Sequence, residues 1–314
     1  MPLHPSAQRL LRLLPTDAAA SPEAPAADRR RSLLALTQSL ETDPEPMRVV
    51  VETTIPSGHG QIGVRIYDAA PPRARGGGLV YFHGGGWIAG DLDTHDGFCR
   101  RLAAGAGCKL LAIDYRLAPE HPFPAALDDC LTAFRWAFGR ASDLGLAASR
   151  LAIGGDSTGA GMAAAASAAL RDAGGPCPAG QFLVCPVLAP QRLTDSRRSL
   201  AEGYFADATV IDRDLRHYCG DGVDPDDAKV SPLLAQAFAR LPRTVVHTAE
   251  FDPFRDEGGD YVNALLQAGV PAKEIRHAGM IHYFYALPRA IPYAMVAAKM
   301  MASDLRVMLE KVTV

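Results

Sequence analysis

Leucines recur at three- and four-residue spacing in "SAQRLLRLL" and "RRSLLALTQSL", which predicts helices within residues 1–45. The Pro- and Ala-rich "PTDAAASPEAPAAD" between them reads as a loop. Two strand-like runs follow, "MRVVVETTIP" and "GQIGVRIYDA", split by the hairpin signal "SGHG". "PPRARGGG" reads as a surface turn. From there short apolar runs alternate with helical stretches. The strand candidates are "GLVYFH", "CKLLAIDY", "RLAIGG", "QFLVCPVL", "RTVVHTAE" and "KEIRHA". The helical stretches include "THDGFCRRLAAGA", "FPAALDDCLTAFRWAFG" and "GMAAAASAALRDAG", and "AIPYAMVAAKMMASDLRVMLEK" closes the chain. This alternation predicts an α/β fold, a mostly parallel doubly wound sheet with helices on both faces. Residues 190–230 are polar and break the alternation. They read as an insertion above the sheet, helical in part.

Bulk properties narrow the function classes. The 314 residues, 48% hydrophobic and 21% charged, are ordinary globular composition. A net charge of −3 argues against a dedicated nucleic-acid binder. The basic run Arg29–Arg31 is expected on a solvated helix face. Six cysteines form no C-x-x-C pair and no zinc-like spacing, so buried or free thiols and no metal site are expected. No signal-like or membrane-spanning apolar run is seen, so a cytoplasmic, reduced protein without membrane contact is expected.

Candidate chemistry centres on "RLAIGGDSTGAG". Ser157 stands where a strand meets an alanine-rich helix, and Gly155-Asp156-Ser157-Thr158-Gly159 fits the G-x-S-x-G nucleophile elbow. There the serine backbone is strained, and side chains two residues either side would strike neighbouring elements. The following helix directs its N-terminal dipole at the serine. The plainer alternative is a helix N-cap serine.

A serine nucleophile needs a base, a group orienting that base, and donors for the oxyanion. "YFHGGGWIAG" supplies consecutive glycines at a strand end, so Gly84, Gly85 and Gly86, with the Thr158 N–H, are expected to surround the oxyanion. His83 is expected to shape that loop. Among nine histidines, His4, His59, His95 and His217 sit in polar surroundings and read as surface, and His247 as buried in a strand. His277 belongs to the last strand candidate. His282, in the loop beyond it, is the expected base. Asp252 follows the strand "TVVHTA" and precedes Pro253. It is the expected orienting acid and also an N-cap, one carboxylate oxygen serving each role. Asp256, Glu257 and Asp195 are weaker candidates, and Asp156 adjoins the serine but cannot also reach His282.

With these residues in place the chain resembles the hormone-sensitive-lipase family of α/β-hydrolase esterases. "YFHGGGWIAGDLDTHD", "DYRLAPEHPFPAALDD", "GGDSTGAG", "KVSPLLA", "EFDPFRDEG" and "GMIHYF" follow the family's order between about residues 77 and 290. The resemblance implies an α/β-hydrolase fold with a helical cap. The cap would combine residues 1–45 with the insertion at about 190–230, on a catalytic domain spanning 46–314. It implies Ser157, Asp252 and His282 as the triad, no metal and no cofactor, and it suggests a homodimer. One departure stands out: the family usually reads G-D-S-A-G-G, and here Thr158 and Ala160 replace the alanine and the last glycine. The branched Thr158 side chain bears on acyl-pocket size.

The expected activity is serine carboxylesterase hydrolysis of small esters with short to medium acyl chains through an acyl-enzyme. Trp87, Tyr204, Phe205 and Phe284 are expected to line an apolar pocket. Two alternatives remain open at this point. One is a small-molecule receptor on a hydrolase fold; the other is an amidase or lactonase using the same triad.

Overall fold

The structure, a computed structural model, describes residues 2–14, 25–69 and 76–310. Of the expected loop at 15–28, residues 15–24 lie outside the described residues, as does the Pro-Arg part of the turn at 71–75; residues 26–28 are not loop but the first turn of a helix. Helices α1 (Pro5–Leu13) and α2 (Ala26–Leu40) form where the leucine periodicity predicts them. Strands β1 (Val49–Ser57) and β2 (Gly60–Asp68) form the hairpin, Ser57 facing Gly60 across the turn.

The remaining strands are β3 (Gly76–Phe82), β4 (Lys109–Asp114), β5 (Leu146–Asp156), β6 (Gln181–Val184), β7 (Thr244–Phe251) and β8 (Ala272–Ile281). The eight strands make one sheet in the order β1-β2-β4-β3-β5-β6-β7-β8. β2 pairs antiparallel with both neighbours, and β4 to β8 pair in parallel. The fold class is the expected one. Helices α3 (Asp96–Ala106), α4 (Ala125–Gly139) and α5 (Ser157–Asp172) follow β3, β4 and β5. Short α6 (Asp195–Ser199) and longer α7 (Ala208–Cys219) lie between β6 and β7, within 190–230. α8 (Arg255–Gln267) and α9 (Tyr293–Leu309) complete the chain. Among the described residues no helix is long and apolar enough to cross a membrane.

Helices on both faces bury the central strands: Val80, Leu111, Ile153, Leu183 and Val246 are fully covered. Each such side chain contributes roughly 1.5–3 kcal/mol of hydrophobic stabilisation. This rigid layer holds the loops at the carboxyl ends of β3, β5, β7 and β8, where the candidate residues sit.

Two expectations are corrected. "GGG" at 76–78 is not a turn but the start of β3. A Cβ on Gly77 would lie 2.8 Å from Leu309 Cβ, so the glycines let this strand end pack beneath α9. Arg29–Arg31 is not a solvated face. Arg30 reaches inward, donating from Nε to the Ile88 carbonyl (2.8 Å) and from Nη2 to the Ala118 carbonyl (3.0 Å), and it pairs with Glu120. Arg29 faces Asp214 of α7, and only Arg31 points outward, to Asp28. Helix geometry puts consecutive residues about 100° apart, so one basic run supplies two faces.

Candidate active site

β5 ends at Asp156 and α5 begins at Ser157, whose φ of 52° lies in the left-handed region. A non-glycine residue is held there only when its surroundings over-determine it. A Cβ on Gly155 would fall 2.2 Å from the Phe82 carbonyl oxygen, and one on Gly159 would fall 2.1 Å from the same atom. The spacing G-x-S-x-G thus answers to one obstacle, the end of β3. The sharp turn pushes the Ser157 side chain out at the carboxyl edge of the sheet.

His282 follows β8, and its Nε2 lies 3.0 Å from Ser157 Oγ. Its Nδ1 lies 2.7 Å from Asp252 Oδ2. A carboxylate only accepts, so Nδ1 carries the proton and the Nε2 lone pair faces the serine hydroxyl. Asp252 Oδ1 accepts the Phe254 N–H at 2.9 Å, so its two oxygens divide between the turn and the imidazole. That turn precedes α8, which starts at Arg255; Asp252 is therefore not the helix N-cap expected from Asp-Pro. Burial pushes the His282 pKa down, but the adjacent Asp252 carboxylate outweighs it and holds it above the ordinary value.

The weaker acid candidates are engaged elsewhere. Asp256 accepts the Ser196 N–H (2.7 Å), Glu257 accepts the Leu188 and Ala189 N–H groups (2.6 and 2.7 Å), and Asp195 pairs with Arg198 at the surface. Asp156 turns away from the imidazole of His282. Its Oδ1 accepts the Tyr81 hydroxyl (2.5 Å) and the Gly84 N–H (2.9 Å). Its Oδ2 accepts the Tyr285 hydroxyl (2.7 Å) and faces His95 Nε2 at 3.2 Å. Burial opposes its ionisation, yet His95 and these donors bring its pKa to about 2. His95 is therefore buried at the site and not a surface residue; its polar neighbours Thr94 and Asp96 gave no sign that α3 tucks it under the glycine loop.

The glycine loop separates into two functions. Gly84 has given its N–H to Asp156 and does not line the cavity, which corrects its assignment as an oxyanion donor. Gly85 and Gly86, with φ of 135° and 69°, do line it, and their N–H groups meet no protein acceptor among the described residues. Thr158 N–H lies in the first turn of α5, where no preceding carbonyl accepts it. His83 shapes the loop as expected, its Nδ1 donating to the Gly84 carbonyl (2.9 Å) while its ring stacks on Tyr115.

A cavity of about 590 Å³ opens over Ser157 and His282. Trp87 and Phe205 line it as expected, with Leu33 and Leu36 of α2 and Val210 and Ile211 of α7. Tyr204 and Phe284 do not. Tyr204 stacks on Phe251, and Phe284 is fully buried between His277 and Tyr293. Tyr283 takes that place: its left-handed backbone (φ 63°) turns it into the cavity against Phe205, and Phe284 into the core. Pocket residues Tyr283 and Phe254 were not read from the sequence. Among the described residues the one group with metal-ligand donors close together is Cys185, Asp252 and His282, within 4.8 Å of one another. Two of its three members are already hydrogen-bonded to each other.

A family described as the alpha/beta hydrolase fold matches residues 79–286. The carboxylic ester hydrolase LipN of Mycobacterium tuberculosis is 42% identical over 242 residues, 74% of this chain and 63% of that relative. Carboxylesterase NlhH of the same species is 37% identical over 276 residues, 86% of each chain. A hyperthermophilic esterase from the archaeon Pyrobaculum calidifontis superposes with a TM-score of 0.93 at 33% identity, covering 98% of this chain and 99% of that one.

Proposed function

The chain belongs to the α/β-hydrolase family, among its hormone-sensitive-lipase-like carboxylesterases, and from that premise we propose that Ser157, His282 and Asp252 hydrolyse small carboxylic esters through an acyl-enzyme. The observation that carries this reading is the continuous relay, Ser157 Oγ to His282 Nε2 at 3.0 Å and His282 Nδ1 to Asp252 Oδ2 at 2.7 Å.

Ser157 Oγ attacks the ester carbonyl carbon as His282 Nε2 takes its proton. Asp252 holds the tautomer and stabilises the imidazolium. The tetrahedral oxygen receives N–H donors from Gly85, Gly86 and Thr158, each worth about 10²–10³ in rate. His282 then protonates the departing alkoxide oxygen as the acyl C–O bond breaks. Water repeats the sequence, releasing the acid and restoring Ser157. Leu33, Leu36, Val210, Phe205 and Tyr283 enclose the cavity with apolar surface, which suits short to medium acyl chains.

The test is Ser157→Ala assayed on a chromogenic butyrate ester. Turnover falls about 10⁴–10⁶-fold with the fold retained; undiminished turnover would refute the assignment. A fluorophosphonate probe labels Ser157 in the native protein and not in the variant, whereas a receptor-like protein gives no adduct.

A further inference from the structure

Three consecutive arginines stand on α2, and two have conventional partners: Arg30 with Glu120 and backbone carbonyls, Arg31 with Asp28. Arg29 differs. Among the described residues it is the only Arg or Lys lining the cavity over Ser157. Its guanidinium carries five N–H donors, yet among the described residues its buried Nε has no hydrogen-bond acceptor, and its ion-pair partner Asp214 Oδ2 stands 3.6 Å away. Asp214 is already claimed on its other oxygen by Arg213, from Nε (2.9 Å) and Nη2 (2.6 Å). Arg29 and Arg213 thus face the two oxygens of one carboxylate. Asp207, the other acid on the cavity wall, sits at the start of α7, where its Oδ1 accepts the Gly203 N–H at 3.4 Å.

The cluster lies next to the reacting centre. A Cβ on Gly86 would fall 2.3 Å from Asp214 Oδ2, so the carboxylate that Arg29 faces rests against the glycine loop. The Arg29 side chain is 29% exposed and so within reach of a bound molecule. An underpartnered guanidinium in a largely apolar enclosure is unfavourable until an acceptor completes it. Its planar fork matches a carboxylate through two parallel N–H···O bonds.

Resting on the esterase reading above, we propose that Arg29 is a substrate-binding residue, and that the preferred substrates are esters bearing a carboxylate on one arm, such as monoesters of dicarboxylic acids. Chemistry at Ser157 is unchanged: the ester arm is cleaved while the free carboxylate sits on Arg29.

The experiment compares kcat/KM for monoethyl succinate, glutarate and adipate with ethyl butyrate, valerate and hexanoate, by pH-stat at low salt. The expected result is a preference of at least about 10-fold for the best-fitting hemiester. It collapses toward 1 in Arg29→Gln, shrinks in 0.5 M NaCl through screening, and grows in Asp214→Asn, which removes the competing carboxylate. Because each ratio is taken within one protein, partial loss of folded material does not alter it. A wild-type ratio of 1 or below overturns the proposal. So does a ratio unmoved by Arg29→Gln with only the Tm lowered, which would make Arg29 a tie between α2 and α7. If ethyl butyrate turns over and Ser157 is labelled, those failures touch this inference alone; if neither occurs, the esterase reading itself falls.

Discussion

Asp156 accepts the backbone N–H of Gly84 at 2.9 Å, across 72 residues of chain. The residue before the candidate nucleophile thereby holds the root of the glycine loop, and the two halves of the proposed oxyanion site are set relative to each other by one buried carboxylate. Tyr81, Tyr285 and His95 complete its hydrogen bonds.

Asp156→Asn should therefore act on turnover more than on binding. An amide in place of one oxygen leaves at least one of the four partners mismatched, at a cost of about 1–3 kcal/mol in stability. A displacement of the loop by about 1 Å costs on the order of 10²-fold in rate, and a smaller one less. The expected outcome is kcat reduced about 10–100-fold with KM nearly unchanged. An unchanged kcat with only a lower Tm would make Asp156 purely structural.

The pH dependence follows from His282. Its pKa is held above the ordinary histidine value, with burial opposing and Asp252 prevailing. The proposed base works only when neutral, so kcat/KM should be lost as pH falls through that raised value. The acid limb of the profile should have its midpoint above 6.5. Asp252→Asn removes the carboxylate and leaves burial in control, so the midpoint should move down along with a large loss of rate.

Thr158 carries a buried hydroxyl with no hydrogen-bond partner among the described residues. Leaving it unsatisfied costs about 1–3 kcal/mol. Removing its methyl loses about 0.8 kcal/mol, and alanine gains up to about 0.7 kcal/mol in helix propensity. Thr158→Ala should hold or raise the Tm, by up to about 2–4 °C. It also widens the cavity beside Ser157, so the kcat/KM ratio of hexanoate to acetate esters should rise. A Tm loss of several degrees would show that the hydroxyl has a partner after all.

Glu257 is fully buried, and burial pushes its pKa up to about 7 against the two N–H groups that favour its charged form. An unfolded glutamate releases its proton near 4.5. Between these values the folded protein holds a proton that the unfolded chain has lost, so stability falls as pH rises through the window. Glu257→Gln should flatten that slope and raise the Tm relative to wild type more at pH 8 than at pH 5. Thermal unfolding at the two pH values decides it.

Much of this arrangement was legible in the chain. The eight strands and the elbow follow from short apolar runs and glycine spacing, which act over a few residues. The strain at Ser157 and the clashes at Gly155 and Gly159 are of this kind. The places of His282 and Asp252 followed from strand order, because side chains just past parallel strands share one edge of the sheet. What escaped was the facing of individual side chains. His95 has polar neighbours in sequence and a buried carboxylate in space. Tyr204 and Phe284 look like pocket residues, yet one left-handed residue, Tyr283, reverses which aromatic meets the cavity.

The sequence by itself determined the elements, their order and the residue types brought to the carboxyl edge, because local sterics and hydrophobic period need only near neighbours. Tertiary structure alone decided that Gly84 serves Asp156 and not an oxyanion, and that Arg30 is spent on carbonyls while Arg29 faces the cavity. Those outcomes depend on hydrogen-bond partners 58 or more residues away, whose approach is set by how helices pack on the finished sheet.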